Sequence, residues 1–351
     1  MLKALSFGRV QWLLAIGLSG ALLLSAAVGA FSFTPAAMVR HIAHALGWGA
    51  LSTSDTLARN VFQQLRLPRV LLTALTGAVL GVSGTVMQGI FRNPIVEPGL
   101  VGTSAGAAFG ASLVFVYGGA LAAPTVIGSL VVPVMAFIGA LAATALVYRL
   151  ATRFEKVDVI TLLLAGIAVN AVCAAGTGFL SFVARDPQAR NITFWSLGTF
   201  TTATWRGVLL VGTVFIPCYA LTLRDAKALN VLMLGEDEAA YLGVDPRRLV
   251  RRLLVLNTLM VAVATAMTGV IAFLGLVVPH MLRRMRSSDY RFLLPASALF
   301  GAALMSVIDV VARVIIRPAE LPIGVITAIV GAPVFLAILL RQERDGVARH
   351  G

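Results

Sequence analysis

Charge is scarce in this chain. Only 12% of its 351 residues are Asp, Glu, Lys or Arg, about half the share of an average soluble domain. Lysine is scarcer still: Lys3, Lys156 and Lys227 are the only three, and none follows a glycine. A Walker A loop needs a lysine after glycine to hold nucleotide phosphates. ATP hydrolysis by that route is therefore excluded, the chain is expected not to be an enzyme, and any use of ATP and Mg belongs to a partner. Cys173 and Cys218 lie in apolar runs and read as small buried hydrophobes, not a disulfide or metal site. The four histidines form no ligand cluster. His41 and His44 share an outer segment and read as surface-helix residues, contact with a passing chelate being the alternative. Low-complexity tracts and short repeats are also missing.

Apolar residues fill the gap, at 59% of the chain with a mean hydropathy of +0.92. A soluble core has no use for so much apolar surface, and the bilayer is its natural solvent. The net charge of +13 invites a nucleic-acid reading. No basic helix, aromatic-interleaved strand or zinc pattern supports it, so no nucleic-acid partner is expected. Arginine-rich cytoplasmic loops explain the charge.

A membrane span takes about 20 mostly apolar residues. Ten segments qualify as spans or parts of spans: Trp12–Phe33, Pro68–Ile90, Leu100–Tyr117, Pro124–Leu150, Val159–Ala184, Trp205–Leu223, Leu249–Ile271, Leu274–Met285, Phe292–Ile316 and Pro322–Leu340. The eighth is too short to cross alone and reads as a broken or tilted helix packed inside protein. The first follows Lys3 and Arg9 and ends in a small-residue stretch like a signal peptide, but its length makes it a retained helix. With the N-terminus inside, nineteen Lys and Arg fall on the inner side and seven on the outer, which supports both termini in the cytoplasm. The expected fold is all-α: one polytopic transmembrane domain over residues 1–351, with an outer segment at 34–67 and an inner loop at 224–248. Pro35 opens a short helix over Ala36–Leu46 in the outer segment. Gly77, Gly81 and Gly84, and again Gly102, Gly106 and Gly110, sit at helical spacing and let backbones approach closely.

Few residues suggest chemistry. Gly102-Thr103-Ser104-Ala105-Gly106 fits the G-x-S-x-G pattern, but a nucleophile elbow needs a strand–turn–helix and a base, and this stretch reads as a packed helix. Asp309 is an intramembrane acid, the mark of ion-coupled transport. Arg313 stands one turn on, so an internal i, i+4 salt bridge is the preferred reading. In the inner loop, Glu236, Asp237 and Glu238 precede Ala239, Ala240, Tyr241 and Leu242, and Gly243 follows. Acids first and glycine last describe a short capped helix, a candidate docking helix for a cytoplasmic partner.

Three blocks carry a family resemblance. The first holds Arg66-Leu67-Pro68-Arg69, Gly84-Thr85-Val86-Met87-Gln88 and Arg92-Asn93-Pro94-Ile95-Val96-Glu97-Pro98-Gly99-Leu100-Val101-Gly102. The second holds Leu234-Gly235, Leu242-Gly243, Thr268-Gly269 and Phe273 to His280. The third holds Asp309, Arg313, Glu320 to Val325 and Gly331 to Phe335. Together they resemble the FecCD/BtuC-type ABC importer permeases, in order from about Arg66 to Leu340. The resemblance implies a ten-span, type II ABC importer permease fold working as a homodimer in a bacterial inner membrane. It implies two ATP-binding cassette subunits beneath, a periplasmic or surface substrate-binding protein above, and alternating access driven by the ATPase pair. The implied cargo is an iron chelate, ferric siderophore or haem, with cobalamin as the alternative; an ion-coupled secondary transporter is the competing class. By the same resemblance Arg66, Arg69 and Arg313 face the binding protein, and Asn93, Pro94 and Ile95 form part of a cytoplasmic gate with Val159 and Ile160 as companions. The ATPase contact is expected at Leu232, Leu234, Glu236, Asp237, Glu238, Ala240 and Tyr241. Asn170 and the small residues of the fifth span are expected to line the path.

Overall fold

The computed structural model describes residues 6–29, 33–45, 48, 56–118, 128–153, 156–157 and 159–350. The chain runs α1 (Phe7–Ala27), α2 (Pro35–Ala45) and α3 (Thr56–Asn60), then a π-helical turn (Val61–Arg66) leading without a break into α4 (Leu67–Ile90). A 3-10 turn (Pro98–Val101) precedes α5 (Thr103–Tyr117) and α6 (Gly128–Ala151). A minimal antiparallel pair, β1 (Thr152–Arg153) and β2 (Lys156–Val157), leads to α7 (Val159–Val183) and α8 (Asp186–Ser196). Then come α9 (Trp205–Arg224), α10 (Ala226–Leu232), α11 (Glu236–Tyr241), α12 (Pro246–Thr268), α13 (Leu274–Met285), α14 (Tyr290–Val314) and α15 (Ile323–His350).

Each of the ten expected segments contains a helix among the described residues, and the start of the fourth, residues 124–127, lies outside them. Seven described stretches are long and apolar enough to cross a membrane, in α1, α3–α4, α6, α7, α9, α12 and α14; α5 and the start of α15 are shorter apolar helices. Their bounds shift for local reasons. The first helix starts at Phe7 because the Ser6 hydroxyl accepts from Arg9 N at 3.4 Å, and it ends at Ala27, before the expected Phe33. The third starts at Thr103, not Leu100, because Gly102 turns the chain at φ 88°. The seventh starts at Pro246, where Asp245 caps both Arg247 N and Arg248 N at 3.1 Å. The expected eighth segment is α13 unchanged, twelve residues long and buried through Pro279. Helix α8, outside any expected span, is an addition.

Burial sorts the helices. Windows in α4 and α12 are 83% and 78% buried, whereas those in α1, α6, α7 and α9 are only 22–28% buried. The outward faces of the latter are apolar, with Trp12, Leu164, Val172, Phe182 and Ile216 all exposed. An apolar rim around a buried centre is what a bilayer solvates.

The glycine stripes make the crossings. A Cβ on Gly77 would fall 2.3 Å from Gly301 O, and one on Gly81 2.5 Å from Ser297 O, so α4 and α14 touch backbone to backbone. Gly84 meets α13 in the same way, a Cβ there landing 1.8 Å from Gly275 O. Gly106 and Gly110 face α6 at Gly139 and Met135. Small residues are the means by which helices associate where lipid tails remove the hydrophobic drive.

Candidate functional site

The α4–α14 crossing sets the level of an arginine cluster. From Gly77, Arg69 lies eight residues toward the end of the bundle that the arginine count assigns to the outside. Asp309 lies eight residues from Gly301 on the antiparallel partner. Equal rise along both helices brings the two side chains level. Arg69 Nε and Nη2 donate to Asp309 Oδ1 at 3.1 and 2.8 Å, and Arg69 Nη1 donates to Glu320 Oε1 at 3.0 Å. Arg313 Nε sits 2.9 Å from the other Asp309 oxygen, the i, i+4 pair read from the sequence. Asp309 is wholly buried, Arg313 is 3% exposed, and Arg69 is 13% exposed.

The remaining donors face the end of α1. Arg313 Nη2 donates to Ser25 O at 3.1 Å and Ser25 Oγ at 2.9 Å, while Arg66 Nη1 donates to Val28 O at 2.7 Å. Arg313 Nη1 also reaches Val28 O. Cations thus meet the carbonyl-rich C-terminus of a helix, where the dipole favours them. The π-helical turn delivers Arg66 to this place, and Trp205 Nε1 donates to Gln63 O in that turn at 2.9 Å. His41 is buried, stacked on the Phe62 ring at 5.5 Å and edge-on to Phe33. The expected surface position for His41 is corrected: an imidazole here closes the packing behind the turn. The His44 side chain lies outside the described residues. Among the described residues no group of three His, Cys, Asp or Glu side chains is placed to hold a metal.

At the other end, α4 stops at a tight turn. Arg92 adopts φ 50°, Asn93 Oδ1 accepts from Ile95 N at 3.0 Å, and Pro94 cannot donate, so the helix ends here. Asn93 and Ile95 are half-buried and Pro94 is exposed. Ile160, on the first turn of α7, is exposed; the Val159 side chain lies outside the described residues. Asn170 Nδ2 donates to Gly99 O at 3.1 Å, tying α7 to the turn before α5.

Beside that turn stands an elbow formed by α10 and α11. Leu229, Leu232 and Ala239 are fully buried and hold it to the bundle. Leu232 was expected on the partner contact; its burial makes it a support beneath that surface. Leu234, Glu236, Asp237, Glu238, Ala240, Tyr241 and Leu242 are exposed, Leu234 at 65% and Tyr241 at 91%. Gly243 follows with φ 82°, the left-handed stop that the sequence anticipates. Asn230 clamps the elbow to α14: its Nδ2 donates to Asp289 Oδ1 at 2.8 Å and its Oδ1 accepts from Tyr290 N at 2.9 Å. The Arg291 guanidinium, with the Asn230 amide, holds the Asp289 carboxyl down at about 2. Arg92 and Glu236 stand 3.6 Å apart, and a cavity of about 480 Å³ lies between Arg92, Asn93 and Pro94 of the gate turn and Asn230 and Met233 of the elbow.

Two polar residues within the quoted motifs gain roles that the sequence reading did not assign. Glu97 accepts from Phe273 N at 2.7 Å, fixing the non-helical link between α12 and α13, where Phe273 has φ 67°. Gln88 Nε2 donates to Gly275 O at 3.3 Å, and its carbonyl receives Arg283. Ser104 lies in the first turn of α5, with no strand before it, so the nucleophile-elbow geometry is not built.

A bundle with seven described stretches long and apolar enough to cross a membrane defines a multi-pass membrane protein. The chain belongs to the FecCD transport family, which it matches over residues 16–341. It is 42% identical over 294 residues to the hemin transport system permease protein HmuU of Yersinia pestis, covering 84% of this chain and 87% of that one. It is 41% identical over 286 residues to the cobalamin import system permease protein BtuC of Halobacterium salinarum, covering 82% and 75% respectively. A solved ABC transporter, assigned to the metal-chelate type and described as inward-facing, superposes with a TM-score of 0.80 at 30% identity, over 95% of this chain and 99% of that one. This chain is an ABC importer permease of that family, a transport subunit.

Proposed function

We propose that the chain carries an iron chelate, haem or a ferric siderophore, across a bacterial inner membrane, as a homodimer served by two ATPase subunits and a substrate-binding protein. Alternating access is driven by the ATPase pair. The observation that carries the partner reading is the elbow. Leu234, Tyr241 and Leu242 stand in water beside three acids, an exposed apolar and aromatic knob of the kind that anchors an interface. Glu236, Asp237, Glu238 and Ala240 surround it as contact residues.

Arg69 and Glu320 form the outward edge that meets the binding protein, with Arg66 and Arg313 holding that edge from behind. The burial of Arg66 and Arg313 favours this division of roles. Asn93, Pro94, Ile95, Val159 and Ile160 form the cytoplasmic gate, and Arg92–Glu236 links gate to elbow. An ion-coupled mechanism is disfavoured by the setting of Asp309, whose carboxylate is wholly buried and already engaged by two guanidinium groups.

Haem is preferred as cargo on the strength of the HmuU relative, and cobalamin is the second reading on that of BtuC. The test is uptake of labelled haem, ferric siderophore and cobalamin by cells with this chain as sole permease of its class. Accumulation of an iron chelate alone is the expected result. Accumulation of cobalamin alone would replace the cargo and leave the permease standing.

A further inference from the structure

At the arginine-rich end of the bundle, α6, α7 and α12 leave a slot of about 280 Å³ open to the side. Its walls are Leu141, Ala145, Tyr148, Val255 and Leu259, and Arg251 stands at its mouth. Val101, Val147 and Leu162, all buried, close the floor. From Arg251 to Leu259 the slot runs eight residues along α12, about 12 Å at the helical rise.

The threonine hydroxyls in the walls are already used. Thr144 Oγ1 bonds Thr103 Oγ1 at 2.9 Å, and Thr258 Oγ1 donates to Leu254 O at 2.7 Å. Arg251 differs from Arg248 and Arg252 beside it. Arg248 pairs with Asp245 and Arg252 with Asp225, whereas Arg251 has no ion pair or hydrogen bond among the described residues. A narrow apolar slot under one unsatisfied guanidinium fits an amphiphile with an anionic head.

We propose that this slot binds an anionic phospholipid of the cytoplasmic leaflet, one acyl chain lying along α12 and the phosphate on Arg251. Basic pockets between transmembrane helices on the cytoplasmic side suit such headgroups, and arginine takes phosphate in bidentate fashion. A second copy of the chain is the poorer occupant. Arg149 stands in the last turn of α6, and Arg247, Arg248 and Arg252 in the first two turns of α12, and a partner of net charge +13 would bring like charge to these helix ends.

The test is native mass spectrometry of the full chain in detergent with phosphatidylglycerol or phosphatidylcholine of matched acyl chains. The wild type is expected to retain phosphatidylglycerol about fivefold more than phosphatidylcholine, the scale of one arginine at a membrane surface. Arg251→Gln removes that preference, Ala145→Trp fills the slot and lowers retention of both lipids, and Arg206→Gln at the other end changes neither. Equal retention of the two lipids by the wild type overturns the proposal, as does an unchanged preference in Arg251→Gln. Cross-linking of Ala145→Cys to itself between copies in vesicles would show that a second chain covers the slot, and would also overturn it.

Discussion

Asp309→Ala is expected to destabilise the folded chain by about 3–5 kcal/mol, the cost of removing one partner from a buried ionic cluster. The aspartate is wholly buried and neutralises Arg69 and Arg313 together. Without it two guanidinium groups face each other out of water, and Arg66 lies on the same α1 carbonyl as Arg313. The clamp joins the ends of α1, α4 and α14, so its loss loosens three helices. Glu320→Gln is the control. That carboxylate is 33% exposed, and its pair with Arg69 contributes under about 1 kcal/mol. Thermal unfolding of the purified chain in detergent separates the two: a large fall for Asp309→Ala and little change for Glu320→Gln. Equal behaviour of both variants would show that the buried cluster holds the helices no more firmly than the exposed Arg69–Glu320 pair does.

Leu234→Asp together with Tyr241→Ala is expected to uncouple the permease from its ATPase while leaving the fold intact. Both side chains already lie in water, so the unfolded chain gains nothing from their change. Hot-spot truncations cost about 2 kcal/mol or more, which is about a thirtyfold loss of affinity for the ATPase subunit. Transport-linked ATP hydrolysis in reconstituted complexes falls with it. Leu232→Asp and Ala239→Glu act differently, because both residues are buried. Those variants disrupt the elbow itself, and they show as lost folded protein rather than lost affinity. Normal affinity and coupling in the Leu234→Asp, Tyr241→Ala double variant would place the ATPase contact elsewhere.

Patterns within one helix were readable in advance. Gly77, Gly81 and Gly84, and Gly106 and Gly110, announce close crossings and make them, whereas Gly102 turns the chain ahead of α5. Asp309 and Arg313 pair as their spacing implies. The capped helix before Gly243 also forms where its acids and glycine place it. Contacts across the bundle were hidden. Arg69 and Asp309 are 240 positions apart, and Glu97 and Phe273 are 176 apart. No local period links such pairs, so Glu97 and Gln88 stood in quoted motifs without a role. The π-helical turn was hidden for a similar reason, since a distant donor, Trp205, satisfies one of its carbonyls. Helix α8 is too short and polar to give a span signal, and Leu232 looks like its exposed neighbour Leu234 until the elbow is folded.

Transport by this permease through partner proteins and ATP is open to a single assay, uptake into proteoliposomes. The chain, copurified with its ATPase and given its binding protein, is predicted to accumulate labelled iron chelate only when ATP and the binding protein are both present. Accumulation driven by a pH gradient with neither partner would rule out ATP-driven import and make Asp309 the centre of an ion-coupled mechanism.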